Sequence, residues 1–516
     1  MAIILIYLLR FNFRFGFDGK NSRLPLFYPL IIITALIGFA FSKNYTNTNY
    51  LIVLTTGIGF WILCILAMHQ IKLSVERNEA AVIHRTIFVF FVINALISIL
   101  NLVLIIWKTG VFNPYLYQGQ YQKYFISTGD YIKGVTFDTS TTNAILNAFG
   151  VIYFLTKKNA LMVLLCMAIL LLTGSNFTNV ILLSILGAIF IFNSSRNQKS
   201  ILIICLLFLV VFMGRVSPQN NKYVVNTVKT IFYPTNLTYP VIKNNLPITL
   251  RPDSTLTFEE RRQKFAILYL DSIRRRKAKR KPRRPILTVP KGVLVSNVGK
   301  IVIPEADINS AEYQHLATTP PEQKQLAGFV NTHKAILPIS GQGVHIPNVP
   351  GKLISIFQTL IFFKNNPAKI ITGNGIGNFS SKLAFKTTGL GFTGGYPAKY
   401  VHINHDFLIN HFDLYLNFFS KNAGLQSLTN SPFSVYDQLL GEYGIIGFLA
   451  FFIFYLGFFL KDRKALTYGL PILILTTAVL FIDYWFEQLS VIVFFELIIL
   501  LNIKESSTKN NIRYGH

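Results

Sequence analysis

Two histidines six residues apart, His405 and His411, are the first side chains in this sequence that suggest chemistry. Each is closely followed by an aspartate within the run HINHDFLINHFDLYL. A His/Asp group can bind a metal ion, although this spacing matches no standard zinc pattern. An imidazole can also act as a general base beside a substrate hydroxyl, because it titrates near neutral pH. Ordinary loop histidines are the third interpretation, and the spacing leaves all three open.

Two carboxylates lie further along, at the start of an apolar helix. Asp437 and Glu442 belong to segment 430–460, which begins polar, becomes apolar and ends at the basic group 461–464. About 20 apolar residues cross roughly 30 Å of hydrocarbon, and Lys and Arg just past a helix mark the cytoplasmic face. We therefore predict that this helix enters the bilayer from the extracytoplasmic side, with both carboxylates at the mouth where an amphiphilic substrate would lie.

Arginine and lysine are concentrated in the long segment before this helix. Residues 251–284 contain 13 basic and 4 acidic side chains, and nine of the eleven residues in 274–284 are Lys or Arg. In a cytoplasmic protein such a run would suggest nucleic acid. Outside the membrane, lipid head groups or a lipid-linked diphosphate are the expected partners, because arginine binds phosphate in a bidentate manner. A solvated insertion is the alternative interpretation.

Membrane helices must position these residues. Of the 516 residues, 52% are hydrophobic and only 14% are charged, whereas a soluble domain has about a quarter charged residues. Runs of about 18 or more uncharged residues indicate transmembrane helices. The short loops on one side hold most of the Lys and Arg, which places both termini in the cytoplasm. We predict ten crossings, near residues 24–42, 50–71, 86–107, 141–156, 159–174, 177–194, 200–214, 440–460, 465–482 and 485–503.

The predicted fold is therefore an all-α polytopic membrane protein with one large extracytoplasmic loop between the seventh and eighth helices. Its parts are a bundle of about seven helices, a loop domain, the C-terminal membrane helices and a cytoplasmic tail, at 1–214, 215–435, 436–503 and 504–516. The loop domain contains the basic helix and a second, amphipathic helix. Leu353, Phe357, Leu360 and Ile361 recur at helical spacing there, which predicts a helix lying on the outer membrane surface.

Two further stretches allow alternative interpretations. The glycine-rich segment 373–379 could bring backbone N–H groups close to an anion, or it could be a simple turn after a helix. Segment 108–140 contains Tyr115, Tyr117, Tyr121, Tyr124 and Tyr131. Their rings could stack on sugars, or they could form an aromatic belt at the membrane interface.

Three sequence motifs, taken in order, resemble a known family. LLLTGS (170–175), ITGNGIGNF (371–379) and SPFSVYDQLLGEYGIIGFLAFFIF (431–454) are similar to the O-antigen ligase and O-antigen polymerase superfamily of bacteria, over roughly 140–215 and 350–503. The chain departs from the family at Phe433 and Ser434, where His-Asn is typical. Asn176 and Lys352 stand where the family often has arginine. These departures favour polymerase over ligase chemistry.

The resemblance implies an inner-membrane glycosyltransferase of surface polysaccharide or lipopolysaccharide synthesis that needs no metal or cofactor. Its expected partners are an oligosaccharide linked to undecaprenyl diphosphate, a glycan or lipid acceptor, membrane lipids and other polysaccharide assembly proteins, but no nucleic acid. The diphosphate would be held by Lys352 together with Arg251, Arg261 or Arg262. The acceptor hydroxyl would be positioned or deprotonated by His405, His411, Asp437 or Glu442. A flippase of lipid-linked glycans and a non-catalytic scaffold are the alternatives.

Overall fold

The computed structural model describes an almost entirely helical chain. The only strands among its described residues are β1 (Phe15–Gly16) and β2 (Leu24–Pro25), a two-residue parallel pair. The description covers residues 13–18, 23–41, 46–117, 129–192, 194–217, 247–256, 260–261, 264, 267–268, 351–388, 396, 400–412, 414–415, 431–461, 463 and 466–514.

Seven α-helices lie in the described part of residues 1–214, and each overlaps one of the predicted crossings. They are α1 (Phe27–Phe41), α2 (Thr48–Arg77), α3 (Ala80–Thr109), α4 (Ser140–Thr156), α5 (Ala160–Leu172), α6 (Asn176–Phe192) and α7 (Arg196–Val211). Side-chain oxygens cap several N-termini, such as Asn47 of α2 and Thr139 of α4. Such caps satisfy backbone N–H groups that have no partner inside the helix.

The described residues of the second half of the chain form eight further α-helices. The first four are α8 (Gly351–Asn365), α9 (Lys369–Thr372), α10 (Lys382–Lys386) and α11 (His405–Asn410). The last four are α12 (Val435–Ala450, continuing to Leu460), α13 (Gly469–Val479), α14 (Trp485–Gln488) and α15 (Ser490–Tyr514). The predicted last crossing is thus interrupted at Leu489, and its helix runs on to Tyr514.

Four helices among the described residues are long and apolar enough to cross a membrane. They are Thr48–Arg77, Ala80–Thr109, Arg196–Val216 and Val435–Leu460. Four shorter helices are also apolar: Phe27–Phe41, Ala160–Leu172, Asn176–Phe192 and Gly469–Val479. The chain is therefore an all-α, membrane-embedded protein, as the composition predicts.

An aromatic cluster holds α1, α2, α12 and α14 together. The ring of Phe27 lies 5.5–5.7 Å from those of Trp61, Phe451, Tyr455 and Phe486. Beside this cluster, Tyr28 and Tyr455 donate hydrogen bonds of 2.6 and 3.0 Å to the buried carboxyl group of Glu496. Two hydroxyl donors therefore satisfy a carboxyl group that would be costly inside a membrane without partners.

The helices bring two sets of contacts to opposite ends of the bundle. At one end, called here the Val435 end, α12 begins and the Val435 N–H bonds to the Leu480 carbonyl at 3.0 Å. The segments 129–138 and 373–381 lie at the same end, against the termini of α4, α5 and α12. At the other end, Lys461 pairs with Asp18 at 2.9 Å. The candidate site residues of α8 and α12 lie at the Val435 end.

Candidate functional site

Lys352 is a buried cation at the start of α8. Its ammonium group donates a hydrogen bond of 2.9 Å to the Ser431 carbonyl and also contacts the Ser431 hydroxyl. Burial lowers the pKa of Lys352 to about 7, although the nearby carboxylate of Asp483 opposes that shift. The sequence therefore places at this point an amine that gains and loses a proton near neutral pH.

The same face of α8 carries two hydroxyl groups that hold Asp437. Ser355 and Thr359 follow Lys352 by three and seven residues, so all three lie on one side of the helix. The Thr359 hydroxyl donates to one carboxylate oxygen of Asp437 at 2.6 Å, and the Ser355 hydroxyl donates to the other. Asp437 is completely buried. Its carboxylate is therefore fixed at the start of α12 by hydroxyl groups from α8.

His411 lies against this group. Its Nδ1 atom is 3.2 Å from the Ser355 hydroxyl, and the edge of its ring meets Phe379 with the centroids 4.4 Å apart. The structure thus connects His411 to Asp437 through Ser355, all three being buried. Such a chain of hydrogen-bonding groups can move a proton between an imidazole and a carboxylate.

His405 does not join His411. It begins α11, its side chain is 75% exposed, and its Nδ1 atom lies 3.8 Å from the Asp406 carboxylate. A third histidine, His402, was not among the predicted site residues. It is buried against Asn378 at 2.9 Å, and burial lowers its pKa to about 4, so it is neutral. The six-residue spacing therefore separates a surface histidine from a buried one.

Glu442 holds the glycine-rich segment. Its carboxylate accepts hydrogen bonds from the backbone N–H groups of Gly377, Phe379 and Ser381, at 2.8, 3.2 and 3.2 Å. The segment therefore cradles an anion, as its composition allows, but that anion belongs to the chain itself. The role of Glu442 as a base stays a prediction. Its described hydrogen bonds fix the glycine-rich segment against α12.

A break in α12 makes this contact possible. Gly444 and Gly373 both have positive φ, at 65° and 71°, a region that glycine enters without steric cost. The broken turn lets the N–H groups of Asn374 and Gly375 bond to the carbonyls of Gly441 and Glu442, at 2.9 and 3.0 Å. The two backbones are so close that a side chain at Gly373 would collide with Glu442.

Several polar side chains near the site make no hydrogen bond to any residue in the described ranges. They include both amide atoms of Gln358 and the hydroxyl of Ser434. Gln358 follows Ser355 by one turn of α8, and Ser434 directly precedes α12. Buried polar groups are usually hydrogen-bonded, so these two are able to bind a polar ligand.

Phe433 occupies the position where the resembled family has histidine. It packs between Tyr415 and Tyr484, with ring centroids 5.6 and 5.2 Å away, and the ammonium of Lys382 lies 5.7 Å from its ring. The hydroxyls of Tyr415 and Tyr484 contact each other and the Ser380 carbonyl. Phe433 therefore contributes an apolar surface beside the ammonium group of Lys382.

Two of the predicted loop arginines, Arg251 and Arg261, make contacts within segment 251–261. Arg251 pairs with Glu260 at 3.0 Å, and the Arg261 Nε group donates to the Leu256 carbonyl at 3.2 Å. Lys264 binds the Arg251 carbonyl and Asp253. Arg262 and the basic run 274–284 lie outside the described residues. The part that these arginines would take in binding a diphosphate stays a prediction.

Sequence reasoning named Lys352, His411, Asp437 and Glu442 as candidates but missed the hydroxyl groups that contact the first three. Ser355, Thr359 and Ser431 carry no motif, although the spacing of Lys352, Ser355 and Thr359 along one helical face was readable. Within the described ranges, no group of three or more His, Cys, Asp and Glu side chains is placed to hold a metal ion. Comparisons of the chain with protein-family models, with curated proteins and with solved structures found no match.

Proposed function

We propose that this chain is a membrane glycosyltransferase that polymerises oligosaccharide carried on undecaprenyl diphosphate, in the synthesis of a bacterial surface polysaccharide. In this proposal it lies in the inner membrane with both termini in the cytoplasm. Ten helices cross the bilayer, and the 215–435 loop lies outside between the seventh and eighth. The Val435 end of the bundle then faces the periplasm, where lipid-linked glycans are joined.

One observation supports this proposal most directly: α8 places a buried cation beside an exposed apolar surface. Phe357 is 58% exposed, and Leu353 and Leu360 are likewise exposed, so the apolar face of α8 points away from the protein. Lys352, Ser355 and Thr359 occupy its buried face. A lipid carrier has the same two parts, an apolar chain and an anionic diphosphate. The apolar face of α8 suits the apolar chain of the carrier, and Lys352 suits its diphosphate.

In the proposed reaction the acceptor hydroxyl attacks the anomeric carbon of the carrier-linked glycan. A glycosidic C–O bond forms while the bond from the anomeric carbon to the diphosphate oxygen breaks, and the configuration inverts. The lipid diphosphate leaves with the bonding electron pair, and Lys352 stabilises its negative charge. The proton of the acceptor passes to Asp437 or His411, which Ser355 connects. Arg251, Arg261 and Arg262 are the candidates for further diphosphate contacts.

The test uses the full chain in lipid nanodiscs with a labelled lipid-diphosphate oligosaccharide. We expect longer lipid-linked glycans to form, and Lys352→Ala to reduce the rate by at least about a hundredfold, as expected for a lost charged contact in a low-dielectric site. Lys364→Ala is the matched control, because Lys364 lies on the same helix but is exposed. Movement of the labelled lipid across the bilayer without any new glycosidic bond would instead identify a flippase.

A further inference from the structure

Two three-residue segments meet at the Val435 end and share unusual features. One is 136–138, in the connection between α3 and α4, and the other is 488–490, in the break between α14 and α15. The hydroxyl of Ser490 lies 3.3 Å from the carboxylate of Asp138. The same carboxylate oxygen accepts a hydrogen bond of 3.0 Å from Thr142 on α4. The two segments are therefore joined side by side.

Each segment has a left-handed residue at its centre. Phe137 and Leu489 have φ of 51° and 60°, and they are two of the three non-glycine residues with positive φ in the part of the chain that the structure describes. Neither a bulky aromatic nor a γ-branched side chain favours this conformation. Strain of this kind is costly and is concentrated at ligand-binding and active sites. The strain here occurs twice, on both sides of one contact.

Each segment also begins with an unsatisfied polar atom. The hydroxyl of Thr136 and the side-chain carbonyl of Gln488 are buried and make no hydrogen bond within the described chain. The amide nitrogen of Gln488 donates to Asp483 at 3.1 Å, so the side chain is held in place with its acceptor unused. Asp138, Gln488 and Ser490 are only half-buried. A ligand can therefore reach the groups that surround the contact.

An exposed aromatic ring lies within one of these segments. Phe137 is 67% exposed, and Tyr131, earlier in the same connection, is 43% exposed. An exposed ring in a segment with hydrogen-bonding amides, hydroxyls and a carboxylate suits a molecule with both apolar faces and many hydroxyl groups. Sugars have this character. The carboxylates of Asp138 and Asp483 further favour neutral sugars or amino sugars over acidic ones.

We propose that segments 136–138 and 488–490 form a binding site for a glycan made of neutral or amino sugars. The site connects to the candidate centre, because Asp483, which holds Gln488, also acts electrostatically on Lys352. Its assignment to the acceptor glycan rests on the proposed function. The glycan-binding site itself does not, since it stands on the geometry of these two segments.

Direct binding to the full chain in nanodiscs tests this inference. The probes are a panel of defined neutral and amino-sugar oligosaccharides from bacterial surface polysaccharides, without lipid or diphosphate, measured by saturation-transfer NMR and by titration. We expect at least one to bind, and Phe137→Ala and Gln488→Met each to weaken it about tenfold, the effect of losing one stacking or hydrogen-bonding contact. Phe112→Ala is the control, since Phe112 is an exposed aromatic after α3 outside both segments.

The outcomes separate this inference from the proposed function. If no oligosaccharide binds, or if Phe137→Ala and Phe112→Ala have equal effects, the glycan site is rejected, whatever the activity of the chain. If binding depends on Phe137 and Gln488 but the chain forms no glycosidic bond, the site stands and the glycosyltransferase proposal fails. Leu489→Gly provides a variant that keeps the backbone conformation without strain. We expect it to fold normally and to bind more weakly, because the segment is less preorganised.

Discussion

The ammonium group of Lys352 lies 2.9 Å from the backbone carbonyl oxygen of Ser431, in a buried position between the loop helix α8 and the start of α12. The carbonyl and the hydroxyl of Ser431 are both neutral. The described hydrogen bonds of Lys352 therefore include none to a carboxylate. This explains why burial lowers the pKa of Lys352 to about 7. The same arrangement leaves the charge able to interact with an anionic ligand.

The depressed pKa predicts how stability changes with pH. Between pH 7 and about 10 the unfolded chain holds the Lys352 proton but the folded chain does not, so the free energy of unfolding rises with pH, by up to about 1.4 kcal/mol per pH unit. Lys352→Met should remove this rise, whereas Lys364→Met should retain it. Thermal unfolding of the detergent-solubilised chain at several pH values measures the difference. Identical pH profiles for the two variants would contradict the assignment.

A related prediction concerns anion binding. An anion beside Lys352 raises its pKa again, so binding at pH 8 should take up a proton from the buffer. Calorimetric titration with farnesyl diphosphate in buffers of different ionisation enthalpy measures this uptake. We expect close to one proton at pH 8 and much less at pH 6, where Lys352 is already charged. Lys352→Arg should bind without proton uptake, because arginine stays protonated.

The hydrogen bonds between Glu442 and the glycine-rich segment predict a local effect of one substitution. Glu442→Gln leaves a single carbonyl oxygen for the N–H groups of Gly377, Phe379 and Ser381. We expect a loss of roughly 1–3 kcal/mol in the free energy of unfolding and faster hydrogen exchange at these three amides. Glu496→Gln is the control, because that carboxyl group is equally buried but binds two tyrosines. Exchange at the segment should be unchanged in that variant.

The apolar helices could be predicted from the sequence, but the links between them could not. Apolar length predicts these helices locally, and the 353–360 spacing predicts the exposed face of α8. The bonds from Ser355 and Thr359 to Asp437 join residues 82 and 78 positions apart, and no local pattern encodes such a pairing. The break at Leu489 was also missed, because leucine is a good helix former and only tertiary contacts hold it at positive φ.

Close backbone packing at the break in α12 predicts that two glycines cannot be replaced. At Gly373 or Gly444 a methyl group would meet the carbonyl of Glu442 or Ile371, and both residues have positive φ. Alanine at either position should lower the free energy of unfolding by several kcal/mol, about 2–4. Gly187→Ala, in α6, should be neutral or stabilising by up to about 1 kcal/mol, because open space surrounds that position. Thermal unfolding in detergent compares the three variants.

The last prediction concerns Glu505, which lies in α15 just beyond the predicted crossing 485–503. Burial alone would raise the pKa of its carboxyl group, but hydrogen bonds and charges from His84 and Lys157 outweigh burial and lower it to about 2. Because the folded-state pKa lies below the unfolded value near 4, the stabilisation is present above pH 4 and is lost as the pH falls towards 2. Glu505→Gln should therefore cost about 1–2 kcal/mol at pH 7, because solvent screens part of the interaction of this half-buried carboxylate with its partners. The same variant should unfold with a shallower acid dependence than the unmodified chain. Glu79→Gln, at an exposed position on the same end of the bundle, should change the free energy of unfolding by less than about 0.5 kcal/mol.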